Sequence, residues 1–168
     1  MHAEAWHWLD TQIRPLLADA PRVADLGGLD VNGSPRPLFG PHCEYLVVDV
    51  RAGPGVHIVA DAGRWLPPRE LRASFDVALA TEVFEHAQHW HAILYNLWLL
   101  LRPGGTCLVT CATAPRGAHS VDGVVPPPAG EWYANVPPEA LRDAMGLLFR
   151  DIDLRTHPRG DLYVRGRR

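Results

Sequence analysis

The sequence predicts an α/β domain on a doubly wound, mostly parallel sheet, and three observations predict it. Five short apolar runs, Arg22 to Gly27, Tyr45 to Val50, His57 to Ala60, Phe75 to Thr81 and Thr106 to Ala112, are rich in Val and Leu and do not alternate. Strands covered on both faces read this way. Helical segments or turn residues separate the runs, so strand and helix take turns through the middle of the chain. The stretch Asp151 to Arg168 reads instead as two strands around His157-Pro158-Arg159-Gly160, an antiparallel hairpin.

The elements follow in order. Ala3 to Ala18 places Trp6, Leu9, Ile13, Leu16 and Leu17 at helical spacing, with Pro15 as a kink. After the third strand, Pro67 to Arg72 is a short helix with proline at its start. Glu85 to Leu101 is a longer helix whose apolar face carries Trp90, Ile93, Leu94, Leu97 and Trp98, and Arg102-Pro103-Gly104-Gly105 stops it. Pro138 to Phe149 is the last helix. The stretch from Ala114 to Pro138, with Pro126-Pro127-Pro128 inside it, is a long loop over one edge, of the kind that is usually functional or disordered. No repeat or second domain is evident. The expected division of residues 1–168 is an N-terminal helix (1–20), a ligand-binding core (22–112), a loop on the far side of the ligand (113–138), and a helix with the hairpin (139–168).

Composition narrows the function. With 168 residues and 47% hydrophobic content the chain can bury one core. A net charge of -3 argues against a broad nucleic-acid footprint. All 16 basic residues are arginine, and Arg165, Arg167 and Arg168 read as a solvated basic tail. Three scattered cysteines, Cys43, Cys107 and Cys111, give no disulfide framework and are expected as buried thiols in a reducing compartment. The opening MHAEAWHWLD has no secretory pattern, and AILYNLWLLL is shorter than the ~18–20 residues of a membrane span. A soluble, cytoplasmic protein without a membrane partner is expected.

In such sheets ligands bind beyond the carboxyl ends of the strands, and here those ends are polar. The first run ends in Asp25, Gly27 and Gly28, the second in Asp49, the third in Asp61, the fourth in Thr81 and Glu82. Asp49 follows Gly28 by about 20 residues, the interval at which a nucleotide-binding fold places the acid for the ribose hydroxyls. Asp25 beside the glycines opposes a pyrophosphate but suits a cationic ligand.

These residues resemble the motifs of class I S-adenosylmethionine-dependent methyltransferases, a Rossmann-like family. Asp25-Leu26-Gly27-Gly28 is similar to its acid-x-Gly-x-Gly turn, Asp49-Val50 to the acid that ends its second strand, and Asp61-Ala62 to the residues beside adenine. FDVALATEVFEH and LRPGG are similar to its fourth-strand phrase and the turn before its fifth strand. The resemblance covers roughly residues 23–112. It implies strand order 3-2-1-4-5-7-6, S-adenosylmethionine as cofactor, and a cofactor site of Asp25, Gly27, Gly28, Asn32, Gly33, Asp49, Val50, Asp61, Ala62, Thr81 and Glu82. The chain departs from the family after Gly28: Leu29 to Ser34 is followed by Pro35, Pro37 and Pro41, so at most a short helical turn fits, and Asn32-Gly33 stands in for the missing glycine as an amide nest.

Methyl transfer from a sulfonium relieves positive charge, so holding the acceptor in line is the main task. A base near neutral pKa helps a hydroxyl acceptor, and His86 and His119 are the candidates. Trp132 and Tyr133 are placed to line an acceptor pocket. Glu85, His86 and His89 cluster in sequence, but no third or fourth ligand has the spacing of a structural zinc site, so no metal is expected. The expected function is methylation of a small-molecule acceptor on oxygen or nitrogen. A non-catalytic scaffold with this fold and a nucleic-acid or protein methyltransferase are the alternatives, and a second copy of the chain is the one protein partner considered.

Overall fold

The computed structural model describes residues 2–168, so the first residue of the expected domain lies outside it. Helix α1 (Ala3–Ile13) passes at Pro15 into a 3₁₀ turn. Strands β1 (Arg22–Leu26), β2 (Glu44–Asp49), β3 (Ile58–Val59) and β4 (Phe75–Thr81) lead to α2 (Trp90–Leu100). Then come β5 (Leu101–Ala112), α3 (Pro138–Gly146), β6 (Arg150–His157) and β7 (Asp161–Arg167). The seven strands form one sheet in the order β3-β2-β1-β4-β5-β7-β6, as expected. β1 to β5 pair in parallel and β7 runs antiparallel to both β5 and β6.

Alternation within the strands divides the core. Val23, Val77, Leu79 and Leu108 face α1, where Trp8, Leu9 and Ile13 cover them. Their neighbours Ala24, Ala78, Ala80, Cys107 and Val109 face α2 and α3, and pack with Ile93, Leu97, Leu141 and Met145. The small alanines of β1 and β4 let α2 lie close to the sheet. Burial on both faces is why these strands carry no polar alternation.

Several boundaries differ from expectation. The helix read from Glu85 starts at Trp90, preceded by a 3₁₀ turn over Phe84–His86. The Glu85 carbonyl accepts from the Ala134 amide (2.8 Å) and its side chain accepts from the Ala112 amide (3.1 Å), so the residue is tied to β5 and the long loop. Pro67 to Arg72 forms only a 3₁₀ turn at Arg69–Leu71. LRPGG belongs to β5: Leu101 pairs with Phe75 and Thr106 with Val77, and the residues between bulge out. Gly104, at φ 80°, turns there so that its amide reaches the Arg168 carbonyl (2.8 Å). Cys107 and Cys111 are buried, but Cys43 is half-exposed and its thiol donates to the Gly40 carbonyl (3.4 Å), because it precedes β2 at the bottom of the sheet. Between β1 and β2 there is one 3₁₀ turn, Arg36–Phe39, as the prolines require. Among the described residues no helix is long and apolar enough to cross a membrane.

The long loop is fastened at both ends. The Thr113 amide donates to Gly160 in the β6–β7 turn (2.8 Å), and the Val136 amide donates to Ala112 (2.9 Å). It arches over the carboxyl ends of the strands.

Candidate active site

Beyond the ends of β1 to β4 lies a cleft of ≈790 Å³, within the range of pockets that hold cofactors and substrates. One wall comes from the strand ends: Gly27, Gly28, Asp49, Asp61, Ala62 and Thr81. The other comes from the arching loop, with His119, Glu131 and Trp132. Asn32, Gly33, Val50, Glu82 and His86 also border the space. Of the eleven expected cofactor residues, ten therefore meet at one cleft.

Asp25 does not. Its side chain is fully buried on the α1 face of the sheet, where it accepts a hydrogen bond from the Tyr45 hydroxyl (2.7 Å), and its other oxygen has no partner. A Cβ on Gly28 would come within 2.6 Å of the Asp25 carboxyl. The acid thus supports the underside of the glycine turn, and Gly28 separates it from the cleft. Burial pushes its pKa up to about 7, against the Tyr45 hydrogen bond, which opposes that shift. The expectation that three carboxylates face one space is corrected: Asp49 and Asp61 border the cleft and Asp25 does not.

Asp49 is held ready for a ligand at the end of β2. Its Oδ2 accepts from the Leu29 amide (3.0 Å) and its Oδ1 from the Arg51 amide (2.9 Å). Each carboxylate oxygen retains lone-pair capacity beyond these bonds. Asp61 Oδ1 accepts from the Gly63 amide (2.9 Å), and Asn96 on α2 donates to the Ala62 carbonyl (2.9 Å), fixing the β3 turn. Gly27 adopts φ 82° and Gly33 φ 102°, both conformations that favour glycine. The Gly33 amide is already bonded to Asp30 Oδ1 (2.9 Å), so it is not a donor of the expected nest. The Asn32 side chain instead donates to the Val121 carbonyl (3.3 Å) and joins the first turn to the loop.

The far side of the cleft is where the sequence revealed least. Glu82, at φ 57°, accepts from Thr110 Oγ1 (2.7 Å) and faces His2 Nε2 at 3.5 Å. His2 Nε2 also lies 3.1 Å from Asp161, which pairs with Arg116. Burial raises the Glu82 pKa, but hydrogen bonds to His2 and Thr110 outweigh it and leave the carboxyl below its ordinary value. The same contact with Glu82 raises His2. His2 and Arg116 were missed because nothing in their local sequence marks them; only the fold brings residues 2, 82, 116 and 161 together.

Beside this network the rings of His86, His119 and Tyr133 form a triangle, with centroids 5.2, 5.5 and 4.8 Å apart. Burial, and then the nearby His119, lower the His86 pKa to about 4. The imidazole is therefore neutral at physiological pH and a weak proton acceptor. Behind it Glu85 is fully buried, and its Oε2 has no hydrogen-bond partner.

A mostly parallel sheet with one reversed strand, an acid at the end of β2 and a cleft between the strand ends and a loop are the layout of an α/β ligand-binding domain. Residues 44–109 match the family model described as "Methyltransferase domain". No curated protein sequence matches the chain. Among solved structures, the 1,6-didemethyltoxoflavin-N1-methyltransferase of Burkholderia thailandensis, with bound 1,6-didemethyltoxoflavin and S-adenosylhomocysteine, is similar at TM-score 0.71 and 16% identity over 98% of this chain and 78% of that one. An S-adenosylmethionine-dependent methyltransferase from Mesorhizobium loti matches at TM-score 0.63 and 18% identity, covering 99% and 98% of the two chains. One from Archaeoglobus fulgidus matches at TM-score 0.64 and 15% identity, covering 97% and 94%. Residues 44–109 are thus similar to a methyltransferase domain, and the chain as a whole shares the Rossmann-like fold of these S-adenosylmethionine-dependent methyltransferase structures.

Proposed function

We propose that this protein transfers the methyl group of S-adenosylmethionine to an oxygen or nitrogen atom of a small molecule bound under the loop of residues 113–137. The observation that carries the reading is the division of one cleft into two walls. Strand ends bearing Asp49, Asp61 and Ala62 suit a nucleoside, and a chamber bordered by His86, His119 and Trp132 suits its acceptor. In this reading Asp49 binds the ribose hydroxyls, Asp61 and Ala62 flank the adenine, and Gly27, Gly28 and Thr81 border the methionine half. His86 and His119 hold the acceptor in line with the sulfur, and Trp132 and Tyr133 close the chamber. Alignment of this kind supplies roughly 7–11 kcal/mol without a strong base. The closed arch of the loop supports a small acceptor over a macromolecule. The free thiols Cys43, Cys107 and Cys111 support work in the cytoplasm.

Calorimetric titration with S-adenosylhomocysteine is the test. Binding at one molecule per chain is expected, and no heat at millimolar ligand removes the proposal. The Asp49→Ala variant should bind about tenfold more weakly, the effect of one hydrogen bond to a charged group at the lower end of about 1.5–3 kcal/mol. Unchanged affinity would move the ribose elsewhere.

A further inference from the structure

The turn after β4 and the loop over it bring together a group that the spacing of residues hid. One ligand atom each from Glu85, His86 and His119 lie within 4.8 Å of one another. No third ligand for Glu85 and His86 is legible from spacing, because His119 follows in an irregular loop. The structure supplies it. Two members of the group hold buried polar atoms without partners, Oε2 of Glu85 and Nδ1 of His86. Such orphans are costly unless something satisfies them.

We propose that Glu85, His86 and His119 bind a divalent first-row transition-metal ion on the acceptor side of the cleft. One carboxylate and two imidazoles form a donor set suited to Mn²⁺, Fe²⁺, Co²⁺ or Zn²⁺ and leave coordination positions open. Metal–ligand distances of about 2.1 Å place neighbouring ligand atoms roughly 3.0–3.4 Å apart, so atoms now within 4.8 Å of one another must close by up to about 1.5 Å. His119 stands on a loop and can make that movement, whereas Glu85 and His86 are fixed by the 3₁₀ turn. Among the charged neighbours, Glu82 adds negative potential, and Arg116 is engaged by Asp161.

His86 and His119 border the cleft while Glu85 lies behind them, so the open positions face the acceptor chamber. On the methyl-transfer reading proposed above, an ion there favours an acceptor that offers oxygen rather than amine nitrogen, because a bound hydroxyl is oriented and made more acidic. The ion site itself does not depend on that reading.

The test uses the full chain, without a polyhistidine tag, stripped by a chelator and titrated with Co²⁺ while its visible absorption is followed. One Co²⁺ per chain is expected at micromolar affinity, with the same stoichiometry for Mn²⁺ by calorimetry. His119→Ala, on the loop, should weaken binding at least tenfold, and Glu85→Gln should do the same with an unchanged circular dichroism spectrum. His42→Ala, on the exposed turn before β2, should leave it unaltered. No Co²⁺ binding below millimolar concentration, or binding indifferent to His119→Ala, overturns the site. Titration of the metal-free chain with S-adenosylhomocysteine separates the two proposals: binding of that nucleoside without Co²⁺ binding sinks only the ion, and the reverse result sinks only the methyl transfer.

Discussion

Gly28→Ala is expected to lower S-adenosylhomocysteine affinity about a hundredfold, or about 2.7 kcal/mol, and to destabilise the fold by about 1–3 kcal/mol. The new methyl would stand 2.6 Å from the carboxyl carbon of Asp25 and 3.0 Å from its Cβ. A flexible side chain would swing away. Asp25 cannot, because it is fully buried and its Oδ2 is held by Tyr45. The strain therefore falls on the glycine turn, which must lift into the cleft where the ligand lies. Leu29 moves with it, and the Leu29 amide is one of the two donors that orient Asp49. The damage thus reaches both the glycine turn and Asp49. A double-mutant cycle with Asp25→Ala isolates the cause: if the two side chains collide, the pair should show about 0.5–3 kcal/mol of coupling, with the double variant better than additivity predicts. A Gly28→Ala protein of native stability and native affinity would show that the turn does not rest on Asp25.

The same pair of residues shows where the sequence could be read and where it could not. Runs of Val and Leu without polar alternation identified the covered strands, and the acids after them identified the rim of the cleft, because both depend only on local order. Asp25 was misplaced by treating a strand-end acid as a rim acid. It shares parity with Val23, which faces α1, so period-two alternation points it into the layer beneath the sheet with Tyr45. Asp49 ends β2 and is reached by the amides of the turns on either side, and its reading as a rim residue stands geometrically. The acceptor side was hardly legible. His2, Glu85, the loop residues Arg116 and His119, and Asp161 come from four separate segments, and their meeting is set by the loop's attachments at Gly160 and Ala112. The start of α2 was misread for a related reason: helical spacing continues back to Glu85, but the tertiary bonds of that residue to β5 and the loop outweigh the local preference.

Asp25→Asn is expected to gain stability relative to the natural chain as pH rises, with the difference between the two growing by about 2 kcal/mol from pH 5 to pH 8. Burial, first among the causes, pushes the Asp25 pKa up to about 7, with the Tyr45 hydrogen bond opposing and the charge of Asp49 adding to the rise. An unfolded Asp releases its proton near pH ~4. Between those limits the native state holds a proton that the unfolded chain has lost, so unfolding stability falls as pH rises through this window, by up to about 1.4 kcal/mol per pH unit. Asparagine carries no proton to lose, and its amide oxygen can still accept from Tyr45. Glu85, pushed by burial to about 8, adds a fall in the same direction and is common to the two proteins, and two histidines also bend the absolute curve. His86, lowered to about 4, contributes the opposite slope below its ordinary range, and the raised His2 contributes a fall above it. Both are present in each protein, so subtracting one curve from the other cancels them and leaves Asp25. Urea midpoints measured at half-unit steps from pH 5 to pH 8, with a chelator present, give the difference directly. Parallel curves would mean that Asp25 is charged in the native state, and that the underside of the glycine turn is open to solvent or to a counter-charge after all.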